Sequence, residues 1–482
     1  MNRTLNSESL REISARLEQA HQALERRYPG PAGERQPIHV VYGGAHLFRS
    51  GTARRLGDLA LKSLDEYAPD FAAFAKAVGL PGASSLPDSP DLVAAMAKSI
   101  DLDPQAARRE NPAALLAHTI YRRIREKLRR EPIEDLRIDF EDGYGSRPDD
   151  EEDGHAAAAA RELSGGMNSG ELPPFIGIRI KPLNEELRKR SIRTLDIFLT
   201  ELASQARGEL PKPFYVTLPK VSLPDEVAAL ADICSRLEPL LDFEPGALRM
   251  ELMVETPQAI LNERGEASLL ALVTAARGRC AAVHFGPYDY TASLQIAATH
   301  QPGVHVASYF ARCLMQVALA GTGIRLADGP TNIMPIPPHR GSKDGAALSA
   351  RQVEENCIAV HHGWKVHFKN VCRSLAAGYY QGWDLHPAQL PARYAAVYSY
   401  FLKNLTSSAE RLRNFIEKAA QATRVGQIFD DAAMAQGLLN YLVQAINCGA
   451  VAAEEVEKLT TLSQGELRGG SFLKILTERQ PS

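Results

Sequence analysis

The sequence predicts an α/β fold, a (β/α)8 TIM barrel, in which eight parallel strands close into a ring inside a layer of helices. Eight short apolar runs recur between residues 38 and 389, and segments with helical spacing separate most of them. This alternation favours a parallel sheet, and eight repeats favour its closure. Polar residues or glycines stand at the ends of these runs, namely Gly43, Glu141, Asp142, Arg179, Lys220, Glu255, Asp289, Asp328 and His386. In a barrel these ends form one rim, where active sites lie.

The alternative to closure is an open, doubly wound sheet. Such sheets commonly bind nucleotides, but the sequence has neither a G-x-G-x-x-G nor a G-x-x-x-x-G-K-[ST] motif to hold phosphates. The predicted strands are 38–44, 136–145, 175–182, 214–221, 248–256, 280–289, 324–330 and 382–389. A helix is predicted over 261–279, between the fifth and sixth strands.

Three regions are expected along the chain. Residues 1–35 form an N-terminal helical arm, residues 36–390 the barrel, and residues 391–482 a C-terminal helical extension suited to subunit contact. Residues 68–131 do not fit the simple alternation, so we predict a helical insertion between the first two strands. Within it, the run RRIREKLRREP is typical of a solvated helix face with charges paired along the helix.

The composition is that of an ordinary soluble globular protein, with 45% hydrophobic and 23% charged residues. A formal net charge of −3 gives no case for nucleic acid or an anionic membrane as a partner. The six cysteines are scattered without a C-x-x-C pair, which argues for a reducing compartment and against a thiolate metal site. The charged start has no signal-peptide core, and no run approaches the ~20 apolar residues of a membrane span. We therefore expect a cytoplasmic protein.

Two strand ends carry carboxylates that suit a metal ion. Glu255 follows the fifth apolar run and Asp289 closes the sixth, with a helix-like segment between them. Neighbouring parallel strands place their carboxyl ends side by side, so the two acids form a plausible cage for one hard divalent cation with open positions for substrate. The alternative for either residue is a helix N-cap or a surface acid.

Other charged residues at the predicted rim are candidates for substrate chemistry. Arg179 lies within an apolar strand and needs a partner or an anion; it could instead pair with Glu141 or Glu255 across the barrel interior. Glu141 and Asp142 are adjacent acids at a strand tip, where one could transfer protons. Lys220 is as compatible with a rim salt bridge as with a ligand contact.

Several aromatic residues and histidines have simpler structural explanations. For His386, which precedes a proline, we predict a structural role with its hydrogen bonds satisfied. For Trp383 we predict packing in the core in preference to a platform on which a ligand stacks. The cluster His361, His362 and His367 could suggest zinc, but no fourth partner stands at ligand spacing.

Seven motifs in order resemble the HpcH/HpaI aldolase and citrate lyase β-subunit family, which includes CitE-like proteins and malyl-CoA lyases. They are DFEDG, RIKP, LPKV, VETPQA, HFGPYDY, DLHPAQ and GQIFDDAAM, and they span most of residues 136–434. The chain departs from the family in its long insertion at 68–131 and in RIKP, where the family more often has Arg-Val-Asn.

The resemblance implies a Mg²⁺-dependent barrel enzyme that makes or breaks a carbon–carbon bond through an enolate. It implies metal ligands at Glu255 and Asp289 and a carboxylate-binding arginine at Arg179. The family's acid pair carries over to Glu141 and Asp142.

The resemblance also implies a homo-oligomer. In some members an acid reaches a neighbouring subunit's site, and here that acid would be Asp430 or, with less support, Asp431. We further expect Lys220 and the backbone around Gly286 to help bind substrate.

The function predicted from the sequence is a lyase or aldolase acting on a small 2-oxo or hydroxy acid, with or without a coenzyme A thioester. The first alternative is a phosphoenolpyruvate-handling phosphotransfer enzyme, which needs a phosphate cradle. The Pro-rich loop 331–341, with His339, Arg340 and the nearby Lys343, is the candidate cradle. The second alternative is a barrel without catalysis that serves as a subunit of a complex.

Overall fold

The computed structural model describes residues 8, 10–30, 35–300, 305–341, 347–417, 423–425, 428–430 and 432–479. Within these residues the strands are β1 (His39–Gly44), β2 (Asp135–Asp139), β3 (Phe175–Arg179), β4 (Phe214–Leu218), β5 (Leu248–Val254), β6 (Cys280–Phe285), β7 (Arg325–Ala327), β8 (Gly382–Asp384), β9 (Thr423–Val425) and β10 (Ile428–Asp430). The first half of the chain contains helices α1 (Arg11–Arg27), α2 (Thr52–Tyr67), α3 (Phe71–Val78), α4 (Pro90–Leu102), α5 (Pro104–Glu110), α6 (Pro112–Arg130), α7 (Asp149–Ser169), α8 (Arg188–Ala206) and α9 (Pro224–Leu240). The second half contains α10 (Pro257–Ile260), α11 (Leu269–Ala275), α12 (Pro287–Ser293), α13 (Val306–Leu319), α14 (Ala350–Ala376), α15 (Leu390–Glu417), α16 (Ala432–Asn447), α17 (Ala453–Thr460), α18 (Gln464–Gly469) and α19 (Phe472–Arg479).

Strands β1 to β8 form one parallel sheet that closes into a barrel. Each strand from β1 to β6 pairs with the next one in sequence, and β8 pairs with β1. The remaining seam is closed by a parallel bridge between Ala327 and Gln381, where the Asp328 N–H donates to the Gln381 carbonyl at 2.9 Å. The predicted (β/α)8 barrel is confirmed, and the open doubly wound sheet is wrong.

The strands form where the sequence alternates, and they end earlier than the apolar runs suggest. In β2, Leu136 and Ile138 belong to the hydrophobic core, while Arg137 and Asp139 are buried among polar partners inside the barrel. Strand β2 was predicted to reach residue 145 but ends at Asp139, because the backbone turns there: Tyr144 N–H donates to Glu141 O at 3.0 Å.

The segment between β1 and β2 contains helices α3 to α6 in addition to α2. Asp70, Asp103 and Asn111 each accept hydrogen bonds from the first turn of the following helix, which explains where α3, α5 and α6 begin. The basic run on α6 is less solvated than expected. Lys127 is buried and binds Glu131 and Glu134 at 2.5 and 2.6 Å, so part of this face is a buried ion-pair network.

The prediction of a helix over 261–279 is wrong for its first half. The chain folds back at Gly265, whose φ is +74°, and the Asn262 side chain accepts hydrogen bonds from the N–H groups of Arg264 and Glu266. An asparagine that caps a local turn competes with helix formation. The helix α11 therefore begins only at Leu269.

The chain beyond the barrel is mainly helical. The long helix α15 is buried on all sides over its first ten residues. It packs against α6 and α14 and also against α16 and α17, where Tyr441 donates to the carbonyls of Tyr400 and Phe401. No helix in the described part of the chain combines the length and apolar composition needed to cross a bilayer.

Candidate functional site

The charged residues predicted at the strand ends meet at the carboxyl rim of the barrel. Lys220, just after β4, is their common neighbour: its Nζ contacts Glu141, lies 3.2 Å from Asp142 Oδ1 and lies 3.8 Å from Asp289 Oδ2. Its backbone N–H donates to Glu255 Oε2 at 2.8 Å. The parallel barrel thus brings together side chains that are separated by up to 148 residues in sequence.

Arg179 ends β3 and is almost fully buried beneath this rim. Its Nε and Nη2 donate to Asp139 Oδ1 and Oδ2 at 2.7 and 2.6 Å, forming a bidentate ion pair. The remaining Nη1 lies 3.0 Å from Glu141 Oε2. The alternative pairing of Arg179 with Glu141 is therefore present, but the main partner is Asp139, which the sequence analysis did not select.

Asp139 also shapes the acidic tip that follows β2. Its carboxylate accepts the backbone N–H of Glu141 at 3.0 Å and that of Gly143 at 2.7 Å. These bonds turn the chain and leave Glu141 buried, while the Asp142 side chain remains about half exposed (58%). Burial raises the pKa of Glu141, and its Oε2 has no well-aligned hydrogen bond. Glu141 is therefore suited to hold or release a proton.

Glu255 directly follows β5 and is buried. Burial, together with the charges of Glu141 and Asp289, raises the pKa of Glu255 to about 8. Gly286 makes this position possible, because a Cβ there would lie 2.4 Å from Glu255 Cγ. The Gly286 N–H donates to Val254 O at 3.0 Å, so it is not free to orient a substrate as we expected.

Asp289 does not end β6 as the sequence pattern suggested. The strand stops at Phe285, Gly286 precedes the helix, and Asp289 lies in the first turn of α12. Its side chain is partly exposed (42%) and points toward Lys220. Burial and the neighbouring Asp142 raise the pKa of Asp289, although Lys220 opposes the shift. An acid in the first turn of a helix is electrostatically favourable. The alternative role predicted for Asp289, an acid at a helix start or on the surface, therefore describes part of its environment.

The site carries more negative than positive charge, and its carboxyl pKa values are raised for that reason as well as by burial. The acids outnumber the two cations Arg179 and Lys220; they are Asp139, Glu141, Asp142, Glu255 and Asp289. A divalent cation between Glu255 and Asp289 would relieve this imbalance. Mg²⁺ suits such a pair because it binds through one or two carboxylates and keeps waters or substrate oxygens as other ligands. Among the described residues, no group of three His, Cys, Asp or Glu side chains is arranged to hold a metal alone.

Two aromatic rings lie against Arg179 inside the barrel. The centroids of Tyr42 and Trp383 are 4.4 Å apart, and the Arg179 Cζ lies 4.6 and 5.6 Å from them. Trp383 therefore has a packing role, as predicted, and the group it packs against is the guanidinium of Arg179 in the candidate site. The Trp383 Nε1 is buried without a hydrogen-bond partner.

A second polar layer fills the barrel below Arg179. Arg137 Nε donates to Thr217 at 3.0 Å and to Glu251 Oε2 at 2.9 Å, and Glu251 Oε1 lies 3.6 Å from His284 Nε2. His284 Nδ1 is 2.9 Å from the hydroxyl of Tyr42, which joins this layer to the aromatic pair. In the sequence, polar residues alternate with apolar residues along β2 and β5. This pattern indicates which residues face the barrel interior, but only once the sheet is known to close.

The remaining candidate histidines are engaged elsewhere. His386 caps the turn after β8 by accepting the Ala388 N–H at 3.1 Å. His361 lies 2.7 Å from the Tyr67 carbonyl, and His367 lies 2.9 Å from Asp384. None of these contacts resembles a zinc site.

The loop proposed as a phosphate cradle is already occupied in part by internal contacts. His339 Nε2 lies 2.6 Å from Glu355, and its backbone pairs with the side-chain amide of Asn356. Lys343 lies outside the described residues, as does Asp431. Asp430 ends the short strand β10, but its side chain is outside the described part of the structure.

A family model described as a domain of unknown function, DUF6986, matches residues 17–475. No curated protein matches the chain. Among solved structures, a citrate lyase from Burkholderia xenovorans LB400 has a TM-score of 0.51 and 17% identity, covering 89% of this chain and 97% of that one. The CitE protein of Mycobacterium tuberculosis, in complex with magnesium, acetoacetate and coenzyme A, has a TM-score of 0.42 and 15% identity, covering 68% of this chain and 95% of that one. Haloferax volcanii malate synthase has a TM-score of 0.41 and 14% identity, covering 70% and 89% of the respective chains. The first of these comparisons shows a shared fold.

Proposed function

The chain belongs to the DUF6986 family, and we propose that it is a magnesium-dependent carbon–carbon lyase or aldolase acting on a small 2-oxo or hydroxy acid. The observation that carries this proposal is that Glu255 and Asp289 meet at Lys220 on one rim of the barrel, where Glu141 joins Lys220 to Arg179. The resemblance of the strand-end motifs to the HpcH/HpaI and citrate lyase β-subunit family supports it. The proposed substrates include both free acids and their coenzyme A thioesters.

Glu255 and Asp289 are the proposed metal ligands. Bound Mg²⁺ would supply a Lewis acid next to a carbonyl oxygen that gains negative charge. Lys220 holds its ammonium between Glu141, Asp142 and Asp289. Although burial opposes its charging, the Glu141 carboxylate raises the pKa of Lys220, so it stays positive beside the reacting group.

Arg179 is the proposed anchor for the substrate carboxylate. Asp139 occupies Nε and one side of Nη2, and Nη1 donates to Met253 Sδ at 3.7 Å, so we propose that the substrate carboxylate binds the remaining side of Nη1. Glu141 lies at Nη1 and would be displaced by a carboxylate there. Binding of the substrate carboxylate to Arg179 would therefore release Glu141 from it.

Glu141 is the proposed proton-transfer group. Its pKa is raised by burial, and displacement from Arg179 removes a positive neighbour that opposes this rise. The freed carboxylate would hold or accept a proton at Oε2 close to the bond that breaks. Asp142 stays partly exposed and could relay that proton to solvent. Asp430 of a neighbouring subunit is a further proposed participant, which requires a homo-oligomer.

The proposal is tested by an assay for 2-oxo acid release in which a dehydrogenase reports the product and no nucleoside triphosphate is present. Candidate hydroxy acids and their coenzyme A thioesters are supplied with Mg²⁺ or with a chelator. We expect Mg²⁺-dependent release by the wild type and by Glu263→Gln, an exposed control, and none by Glu255→Gln. Turnover that requires ATP or phosphoenolpyruvate would support the phosphotransfer alternative, and full activity of Glu255→Gln would contradict the site.

A further inference from the structure

A cavity of about 900 Å³ lies at the end of the barrel opposite the candidate site. Its walls are the starts of the strands: Phe175 begins β3, Arg325 begins β7, and Lys212 and Tyr380 precede β4 and β8. Helix α16 covers one side with polar residues such as Gln444. The volume lies within the range of pockets that bind small organic ligands.

The charge of this cavity is one-sided. Four cations line it, namely Arg35, Lys212, Arg249 and Arg325, and none of its described lining residues is Asp or Glu. Such a concentration of positive charge is unusual in a chain whose formal net charge is −3. Concave walls of one sign concentrate the potential and attract ions of the opposite sign.

Two of these cations are unpaired among the described residues, and a third has only a distant carboxylate partner. Lys212 and Arg249 are exposed to the cavity and make no ion pair within the described residues. Arg325 donates from Nη2 to the Tyr215 hydroxyl at 2.9 Å, and its nearest carboxylate, Glu251, is at the 4.0 Å limit of an ion pair. Only Arg35 is satisfied, by Glu131 and Glu134.

Arg325 is held in place but keeps an unused donor. Its Cζ lies 5.4 Å from the Phe175 ring centroid and 5.2 Å from that of Tyr215, which fixes the guanidinium between two aromatic rings. Its Nε is buried without a hydrogen-bond partner. A buried N–H without a partner is costly, so an acceptor from a ligand would stabilise this arrangement. Another lining residue, Gln444, also has a buried side-chain oxygen, Oε1, without a hydrogen-bond partner.

We propose that this cavity binds a small phosphate compound, from pyrophosphate up to the size of a nucleotide. Phosphate oxygens match the planar guanidinium of Arg325, and several charges on one ligand could engage Lys212 and Arg249 together. The aromatic rings and Gln444 provide surfaces for the uncharged part of such a molecule. The site is at the amino end of the strands, so the inference does not rest on the proposed lyase function.

The experiment is a calorimetric titration of the full-length protein with pyrophosphate, ADP and citrate at fixed NaCl concentration. It compares the wild type with Lys212→Glu/Arg249→Glu, which reverses two exposed charges. The control, Lys189→Glu/Arg264→Glu, makes the same charge change at exposed positions outside the cavity. Thermal melting checks that each variant is folded.

We expect pyrophosphate or ADP to bind the wild type and the control alike, and the cavity variant to bind at least about tenfold more weakly. A second variant, Arg325→Met, should weaken binding as well. The proposal is overturned if neither phosphate compound binds the wild type at millimolar concentration. Equal affinity in the cavity variant and the control would also overturn it, and binding of citrate alone would overturn the ligand class.

Discussion

The backbone N–H of Lys220 donates a 2.8 Å hydrogen bond to Oε2 of Glu255, while the ammonium of the same residue contacts Glu141. Lys220 makes both contacts with a φ of +49°, in the left-handed region. This conformation costs a residue other than glycine roughly 1–2 kcal/mol. The contacts it makes with acids from different loops offset that cost, so Lys220 organises the rim as much as the proposed metal ligands do.

Glycine at position 286 should be required for the position of Glu255, because any larger residue would occupy the space of its side chain. A Cβ added there would lie 2.5 Å from Glu255 Oε1. We expect Gly286→Ala to displace the carboxylate and weaken Mg²⁺ binding by about 10–100-fold, as calorimetry would measure. Gly43→Ala is the matched control, because no atom lies within 4 Å of its added Cβ. Equal Mg²⁺ affinity in the two variants would argue against Glu255 as a ligand.

Removing one partner of the buried ion pair between Arg179 and Asp139 should strongly destabilise the fold. Removing one partner leaves the other charged and buried, so we expect Arg179→Met to lower the free energy of unfolding by about 3–5 kcal/mol. Urea denaturation measures this loss. Arg188→Met, which breaks an exposed pair with Glu185, should leave the midpoint nearly unchanged.

A second variant separates the ion pair from general packing. Adding Asp139→Asn to Arg179→Met removes the uncompensated carboxylate, and it should recover part of the stability. A double variant less stable than Arg179→Met would contradict the importance of the buried charge.

Stability should fall in mild acid because of His39. Burial lowers the pKa of His39 from 6.5 to about 4, and its neutral Nε2 accepts the Glu134 N–H at 3.1 Å. The unfolded chain therefore binds a proton near pH 6.5, whereas the folded protein binds it only near pH 4. The neutral His39 therefore contributes about 3 kcal/mol to the free energy of unfolding. This contribution is fully present above pH 6.5 and is lost as the pH falls to 4.

The test is urea denaturation of the wild type, His39→Gln and His362→Gln between pH 4 and pH 7. Glutamine at position 39 keeps an oxygen acceptor but does not titrate, so its stability should depend less on pH than that of the wild type. His362 is exposed and its variant should follow the wild type. Identical slopes for all three proteins would exclude His39 as the source.

The barrel and its rim could be predicted from the sequence because polar residues interrupt apolar runs at regular intervals. Asp139 was missed because it lies within the alternation of β2 rather than at its visible end, and only closure of the sheet shows that its face is inward. Asp289 was placed on a strand because the sequence pattern does not show where β6 gives way to α12. The amino-end cavity was missed since its cations, including Arg249 and Arg325, come from separate strand starts that only the fold brings together.

The most direct test of the account is a calorimetric titration of Mg²⁺ into the wild type and Asp289→Ala, with and without pyruvate, oxaloacetate or glyoxylate. Asp58→Ala, an exposed change on α2, is the control. We predict that an oxo acid binds the wild type and the control only when Mg²⁺ is present, and that Asp289→Ala loses this binding while remaining folded. Metal-independent binding, or Mg²⁺-dependent binding that survives in Asp289→Ala, would contradict the proposed site.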